Sequence, residues 1–214
     1  WPPSGVTAQH RFLQADGTLS SASSSGTASY LDIDGDSMLG THAPDEPLEF
    51  VSEPLTAPLR LTGAPRFESE ISADAARAGL VLTLLERKAD GGQRYLNFGA
   101  MSLNHAANLA KGDADITGKT LPVAFNLFPL DNVLAAGSRL VLVVGGQVST
   151  QDVETAGNSD NLQNGGPNLA PSGIGARVTL NLAKTRLTLP ANRGGAVETI
   201  SWLPTPAPTP TAAP

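Results

Sequence analysis

"LEFVSEPLTAPLRLTGAP", Leu48 to Pro65, is the stretch on which the fold class turns. Leu48 and Phe50 alternate with polar neighbours before Pro54. Leu59 and Leu61 resume the alternation after Pro58, with Arg60 and Thr62 facing the other way. Proline has no N–H to donate into a ladder, so within a sheet it belongs at an edge, a bulge or a strand start. The stretch therefore reads as two short strands joined by a kinked crossing. One strand begins a sandwich, and the other starts its main run at Leu59. Jelly rolls make such crossings where the chain passes from one sheet to the other. The expectation is an all-β jelly-roll β-sandwich with few or no helices.

Outward from that stretch, 22 glycines and 17 prolines punctuate short apolar runs, the pattern of an all-β chain. "AGLVLTLLERK" (Ala78 to Lys88), the turn "ADGG" and "QRYLNFGAMS" form the clearest hairpin, with Asp90-Gly91 supplying the positive-φ position. Leu80, Leu82 and Leu84 share one face and Val81, Thr83 and Leu85 the other. Both faces read as covered, which predicts an interior strand. In the return arm, Leu96, Phe98 and Ala100 alternate with Tyr95, Asn97 and Gly99. Further strands read at Leu121 to Leu130, Ser138 to Gly146, Ala176 to Ala183 and Thr185 to Ala191. "SADAARAGL", with Ser72 as N-cap, is the one stretch that could make a helical turn or two. The segment from Gln147 to Gly175 is polar and too long for an ordinary connection. The sandwich is expected over residues 1–203, followed by a Pro/Thr-rich tail or linker over 204–214.

The chain has 214 residues, long for one domain and short for two, though all-β sandwiches of this size fold as one unit. Net charge is −6 with no Lys/Arg cluster, so nucleic acid and anionic membrane lack their electrostatic requirement. Apolar runs such as Leu140 to Val144 are far short of the roughly 20 residues that cross a bilayer. There is no cysteine, which leaves the compartment open. The first residue is Trp1 and no basic-then-apolar leader follows, so the chain reads as a processed or excised piece. A secreted or periplasmic setting is expected in preference to a cytoplasmic one.

Three segments carry a family resemblance. They are "WPPSGVTAQHRFLQADGTLS" (Trp1 to Ser20), "LEFVSEPLTAPLRLTGAPRFESEISADA" (Leu48 to Ala75) and "FPLDNVLAAGSRLVLVVGG" (Phe128 to Gly146). In order and apolar spacing they resemble the C-terminal jelly-roll domain, galactose-binding-domain-like in fold, of Xaa-Pro dipeptidyl-peptidases and cocaine-esterase-like serine hydrolases. The acidic run before Leu48, where that family often has an Arg-Asp pair, and the Thr/Pro-rich tail depart from the pattern. In that family the catalytic serine, aspartate and histidine sit in a separate α/β-hydrolase domain. The resemblance thus implies no catalytic residue here, no cofactor, and a partner: the α/β-hydrolase catalytic domain of the same parent protein. It implies an accessory role, shaping substrate access or mediating homo-oligomer contacts, with Trp1 and Phe12 as interface candidates.

Chemistry within the chain itself reads weakly. "GDSML" at Gly35 and "GNSDN" at Gly157 both lack the second glycine of a G-x-S-x-G elbow. His10, His42 and His105 are the only histidines available as bases. "DIDGDS" places Asp32, Asp34 and Asp36 at alternate positions, where a hard cation such as calcium could find oxygens. Ser37 and Ala43 stand where an EF-hand needs glycine and glutamate, so a solvated acidic turn is the preferred reading. The rival class is a free-standing carbohydrate- or ligand-binding sandwich, perhaps calcium-stabilised. Its aromatic platform would have to come from Trp1, Tyr30, Tyr95 and Trp202, since aromatics are 5% of residues.

Overall fold

The structure, a computed structural model, describes residues 5–32, 48–146 and 175–193. The described strands run in chain order as β1 (Thr7–Leu13), β2 (Leu19–Ser20), β3 (Thr27–Asp32), β4 (Leu48–Val51), β5 (Leu59–Gly63) and β6 (Arg66–Ala73). There follow β7 (Gly79–Arg87), β8 (Gln93–Ser102), β9 (Leu121–Asn126), β10 (Leu130–Leu134), β11 (Arg139–Gly145) and β12 (Ala176–Arg193). They form two antiparallel sheets. Four strands make one, in the order β4-β11-β7-β8. The other has eight, with β12 pairing β1, β3, β5 and β6, and with β2, β10 and β9 completing its flanks.

The proline-broken stretch does what its sequence predicts. β4 pairs with β11 in the four-stranded sheet, and β5 pairs with β10 and β12 in the other. Pro54 and Pro58 lie in the crossing between them, outside both ladders. There Ser52 N–H donates to Leu140 O at 2.9 Å and Leu55 N–H to Ser138 O at 2.8 Å, so the crossing is pinned to β11 without any donor from proline.

Several sequence expectations are corrected, among them the strand read over Leu121 to Leu130, which ends at Asn126 while Leu130 opens β10. The runs Ala176 to Ala183 and Thr185 to Ala191 are one eighteen-residue strand, not two. The residues between them, where the register against β6 shifts between Asn181 and Arg186, are a bulge. Thr185, fully buried, holds that bulge by donating to Asn181 O at 2.8 Å and meeting Ser69 Oγ at 2.7 Å. "SADAARAGL" makes no helix, because Ser72 and Ala73 pair with Thr179 and Val178 as the end of β6. The one helical turn among the described residues is a 3₁₀ turn at Leu103–His105. The last correction, in β8, concerns the site.

Leucine dominates the space between the layers, with Phe50, Leu82, Leu84, Leu140 and Leu142 from one sheet meeting Leu61, Phe67, Ile71, Leu180 and Leu187 from the other. A polar clamp ties the layers at one end. Tyr30 and Asp32, both on β3, reach across to Gly79 at the start of β7. The Tyr30 hydroxyl donates to Gly79 O at 2.6 Å, and the Asp32 carboxylate accepts Gly79 N–H at 2.7 Å. Burial, with the Asp32 charge nearby, pushes the Tyr30 hydroxyl well above its ordinary pKa. At Gly146 an added Cβ would overlap the Asp32 carboxylate at 1.9 Å, so only glycine fits beside the clamp.

Replacing Thr185 by valine keeps the shape and removes both hydroxyl contacts of the bulge. A loss of about 1–3 kcal/mol is expected, read by urea denaturation with an unchanged m-value.

Candidate docking face

The alternation of β8 is broken by a single residue. Leu84 faces Asn97 across the hairpin and Leu85 faces Tyr95, so Leu96 is an extra residue with no partner on β7. A bulge of this kind re-aims the side chains beyond it. Leu96 joins the sandwich core, whereas Phe98 and Ala100 fall in register with Thr83 and Val81 on the outer face, away from the core leucines. The expected shared face of Leu96, Phe98 and Ala100 is thereby split. In the folded hairpin β8 has ten residues where β7 has nine, and the arms as read from sequence gave no sign of the extra one.

The outer face of the four-stranded sheet consequently reads in apolar rows. Val51, Val141, Leu85 and Tyr95 lie side by side across the four strands. The next row is Glu49, Val143, Thr83 and Phe98, and beyond it come Gly145, Val81 and Ala100. Val81 and Val141 are buried although they take no part in the core between the sheets. One ion pair crosses this face. Arg87 Nη2 reaches both Glu49 carboxylate oxygens at 2.8 Å, and the registers place that span across β11 at the level of Val141. Tyr95 remains 43% exposed, and Phe128, whose ring lies 5.0 Å from that of Phe98, is 58% exposed.

The outer face of the eight-stranded sheet is built from the opposite chemistry. Arg60 binds both Asp131 oxygens, at 2.8 and 2.7 Å. Arg186 holds Glu68, His10 meets Thr188 at 3.1 Å, and Ser29 meets Thr179 at 2.8 Å. The guanidinium of Arg186 keeps Glu68 below the usual carboxylate range, and that of Arg60 does the same for Asp131. Such pairs suit a solvated surface, where each is worth little to stability. An apolar sheet face is the informative one, because contiguous exposed apolar surface marks contact with something else.

Beside this face, at the β7–β8 and β10–β11 turns, lies an open cleft of about 480 Å³ lined by residues that include Glu86, Arg94, Val133, Ala135 and Ser138. Glu86 is its buried floor and takes Arg94 Nε at 2.8 Å and Ala135 N–H at 3.2 Å. Burial pushes the Glu86 carboxyl up. The Ser138 hydroxyl, the Ala135 N–H and the Arg94 guanidinium outweigh that and hold it below its ordinary value. Nothing in the spacing of the sequence singled out Glu86, because an acidic residue near a turn is ordinary until the fold closes over it.

The residues singled out from sequence do not converge. Trp1, Asp34, Asp36, His42, Trp202 and the Gln147 to Ile174 segment lie outside the described residues, as does the tail. Asp32 is buried with one oxygen committed to Gly79. Among the described residues no group of three or more His, Cys, Asp or Glu side chains is placed to hold a metal ion. Phe12 is half-buried on β1, in the eight-stranded sheet. His10 and His105 lie apart, on β1 and in the 3₁₀ turn, the latter bonded to Leu109 O at 3.2 Å. No described helix is long and apolar enough to cross a membrane.

Over residues 1–185 the chain matches the family described as the X-Pro dipeptidyl-peptidase C-terminal non-catalytic domain. Solved structures that share its fold include an ester hydrolase, an aminopeptidase and a CocE/NonD family hydrolase. An α-amino acid ester hydrolase is 17% identical with a TM-score of 0.67, over 87% of this chain and 36% of that one. An aminopeptidase from a marine sediment archaeon, Thaumarchaeota archaeon, is 16% identical with a TM-score of 0.69, over 90% and 38%. A CocE/NonD family hydrolase from Staphylococcus aureus is 15% identical with a TM-score of 0.68, over 90% and 38%. This chain thus spans little more than a third of the length of each. A search of curated proteins returned no match.

Exchanging Glu86 for glutamine leaves Arg94 without its anionic partner, and a loss of about 1–3 kcal/mol is expected at neutral pH. A carboxyl whose folded pKa lies below its unfolded value stabilises above the unfolded pKa, about 4.3 for glutamate. That contribution disappears as pH falls through the folded value. The gap between Glu86→Gln and the parent chain should therefore narrow below about pH 4, which urea titrations at pH 7, 5 and 3.5 would reveal.

Proposed function

This chain belongs to the X-Pro dipeptidyl-peptidase C-terminal non-catalytic domain family, and from that premise we propose that it is the accessory sandwich of an α/β-hydrolase-type Xaa-Pro peptidase or esterase. It presses the apolar outer face of its four-stranded sheet against the catalytic domain of the same polypeptide. Held there, the sandwich limits access of substrate to the catalytic pocket and offers its polar outer sheet to solvent or to a second copy.

One observation carries the reading: the two outer faces of one sandwich differ in kind. The eight-stranded sheet presents ion pairs and hydroxyl pairs, whereas the four-stranded sheet presents Val51, Leu85, Tyr95, Phe98 and Val143 around a single Arg87–Glu49 pair. Fully burying one such aliphatic or aromatic side chain is worth about 1.5–3 kcal/mol. A handful of them offsets the ordering that docking requires. The similar hydrolase structures, of which this fold occupies little more than a third, supply the kind of partner.

The purified chain should turn over neither prolyl-dipeptide anilides nor simple esters, and it should not be retained on polysaccharide. The substitution Val143→Lys should move the melting temperature of the chain alone by a few degrees at most. In the intact gene product the same change should separate the unfolding of the sandwich from that of the rest and raise proteolysis between them. Turnover by the chain that is abolished by replacing one of its own serines would overturn the reading, as would a gene product containing no hydrolase domain.

A further inference from the structure

We propose that Phe128 is a preformed aromatic anchor that inserts into an apolar pocket on the hydrolase domain, an inference that rests on the docking reading above. Between β9 and β10 the chain reads Leu127-Phe128-Pro129. The two apolar residues are treated in opposite ways. Leu127 is buried in the core, where Gly99 leaves room for it: a Cβ at Gly99 would meet Leu127 Cγ at 3.0 Å, its Cα at 3.2 Å and Phe125 Cε2 at 2.9 Å. With Leu127 turned in, Phe128 is turned out, and it is the most exposed aromatic side chain among the described residues.

That exposed ring is held in place from three sides. Phe128 N–H donates to Phe98 O at 3.2 Å, which ties the segment to the free edge of β8. The Asn97 side chain is 4% exposed, and its amide donates to Phe128 O while its Oδ1 accepts Phe98 N–H at 2.8 Å. The Phe98 ring then backs the Phe128 ring at 5.0 Å with a tilt of 50°, a favoured arrangement for aromatic pairs. Pro129 limits the backbone on the far side. A buried asparagine needs partners for its polar atoms, and Asn97 finds them by joining two segments, its amide on the β9–β10 connection and its Oδ1 on the next residue of β8. Here it fixes an apolar ring in water. Phe128 is continuous with the outer-face row through Phe98, so a surface that covers Phe98, Thr83 and Val143 also covers Phe128. A rigid aromatic ring loses little freedom on insertion, the property that makes aromatics effective at the centre of interfaces.

Hydroxyl-radical footprinting read by mass spectrometry tests this on two samples, the 214-residue chain and the intact gene product. Oxidation of Phe128 is expected to fall at least ten-fold from the chain to the intact protein, alongside protection of Leu85 and Tyr95. Phe128→Ser should leave the melting temperature of the chain unchanged. In the intact protein it should restore oxidation of Phe98, and Asn97→Ala should do so in part. If Leu85 and Tyr95 are protected but Phe128 is oxidised equally in both samples, the anchor is overturned while the docking face stands. If none of the three is protected, the docking reading itself fails and the anchor fails with it.

Discussion

The backbone of β12 hydrogen-bonds to four different strands, and the eight-stranded layer has no other member that could hold it together. On one side β3 and β1 lie end to end along it, and on the other β6 and β5 do the same. Each of those strands is short and could not remain paired alone, since isolated two-stranded units are marginal in water. The arrangement needs a bulge near its middle, where the partners change, and the buried Thr185 and Ser69 hydroxyls satisfy the backbone there. It also tolerates Pro190, which sits where β6 has ended at Thr188 and β5 begins at Ala191, so no ladder bond is lost on that side. Once this layer exists, its inner leucines define the floor on which the four-stranded sheet packs.

The second layer takes its character from one extra residue. Without the bulge at Leu96, the return arm of the hairpin would carry Phe98 and Ala100 inward behind Leu96, and the outer face would be left with Asn97 and Gly99. With it, Asn97 turns in and becomes the fastener of the β9–β10 segment, Gly99 makes room for Leu127, and the aromatic residues turn out. A core requirement and a surface requirement are met by the same bulge. Bulges recur beside functional sites for this reason, because a one-residue insertion moves a whole set of side chains across a sheet.

A sandwich with one polar and one apolar outer face is neither a finished free domain nor a failed one. Its own core closes around leucine, while one outer face is rich in apolar side chains. Fold alone does not establish this, since jelly rolls serve many roles. The contrast between the Arg60–Asp131 and Arg186–Glu68 side and the Val143, Leu85 and Phe98 side is what gives the molecule a direction.

Much of the architecture was legible in the residues. Period-two leucines marked the strands, Asp90-Gly91 marked the hairpin, and Pro54 and Pro58 marked the passage between sheets, because each of these signals acts within a few residues along the chain. The lengths of strands misled where the signal was not local. Ala183 and Lys184 read as a break only because a bulge and a chain reversal look alike until the partner strand is known. "SADAARAGL" suited a helix by its own preferences, and pairing of Ser72 and Ala73 with β12 overrode them. The sequence by itself determined that two β layers would close around a leucine core, since burial and backbone chemistry are written in period and in proline. Which side of Phe98 faces out, what Glu86 and Asp32 bind, and that Phe128 stands exposed were decided only in the tertiary structure. The reason is physical: a register is a relation between two strands, and one strand's residues cannot state it alone.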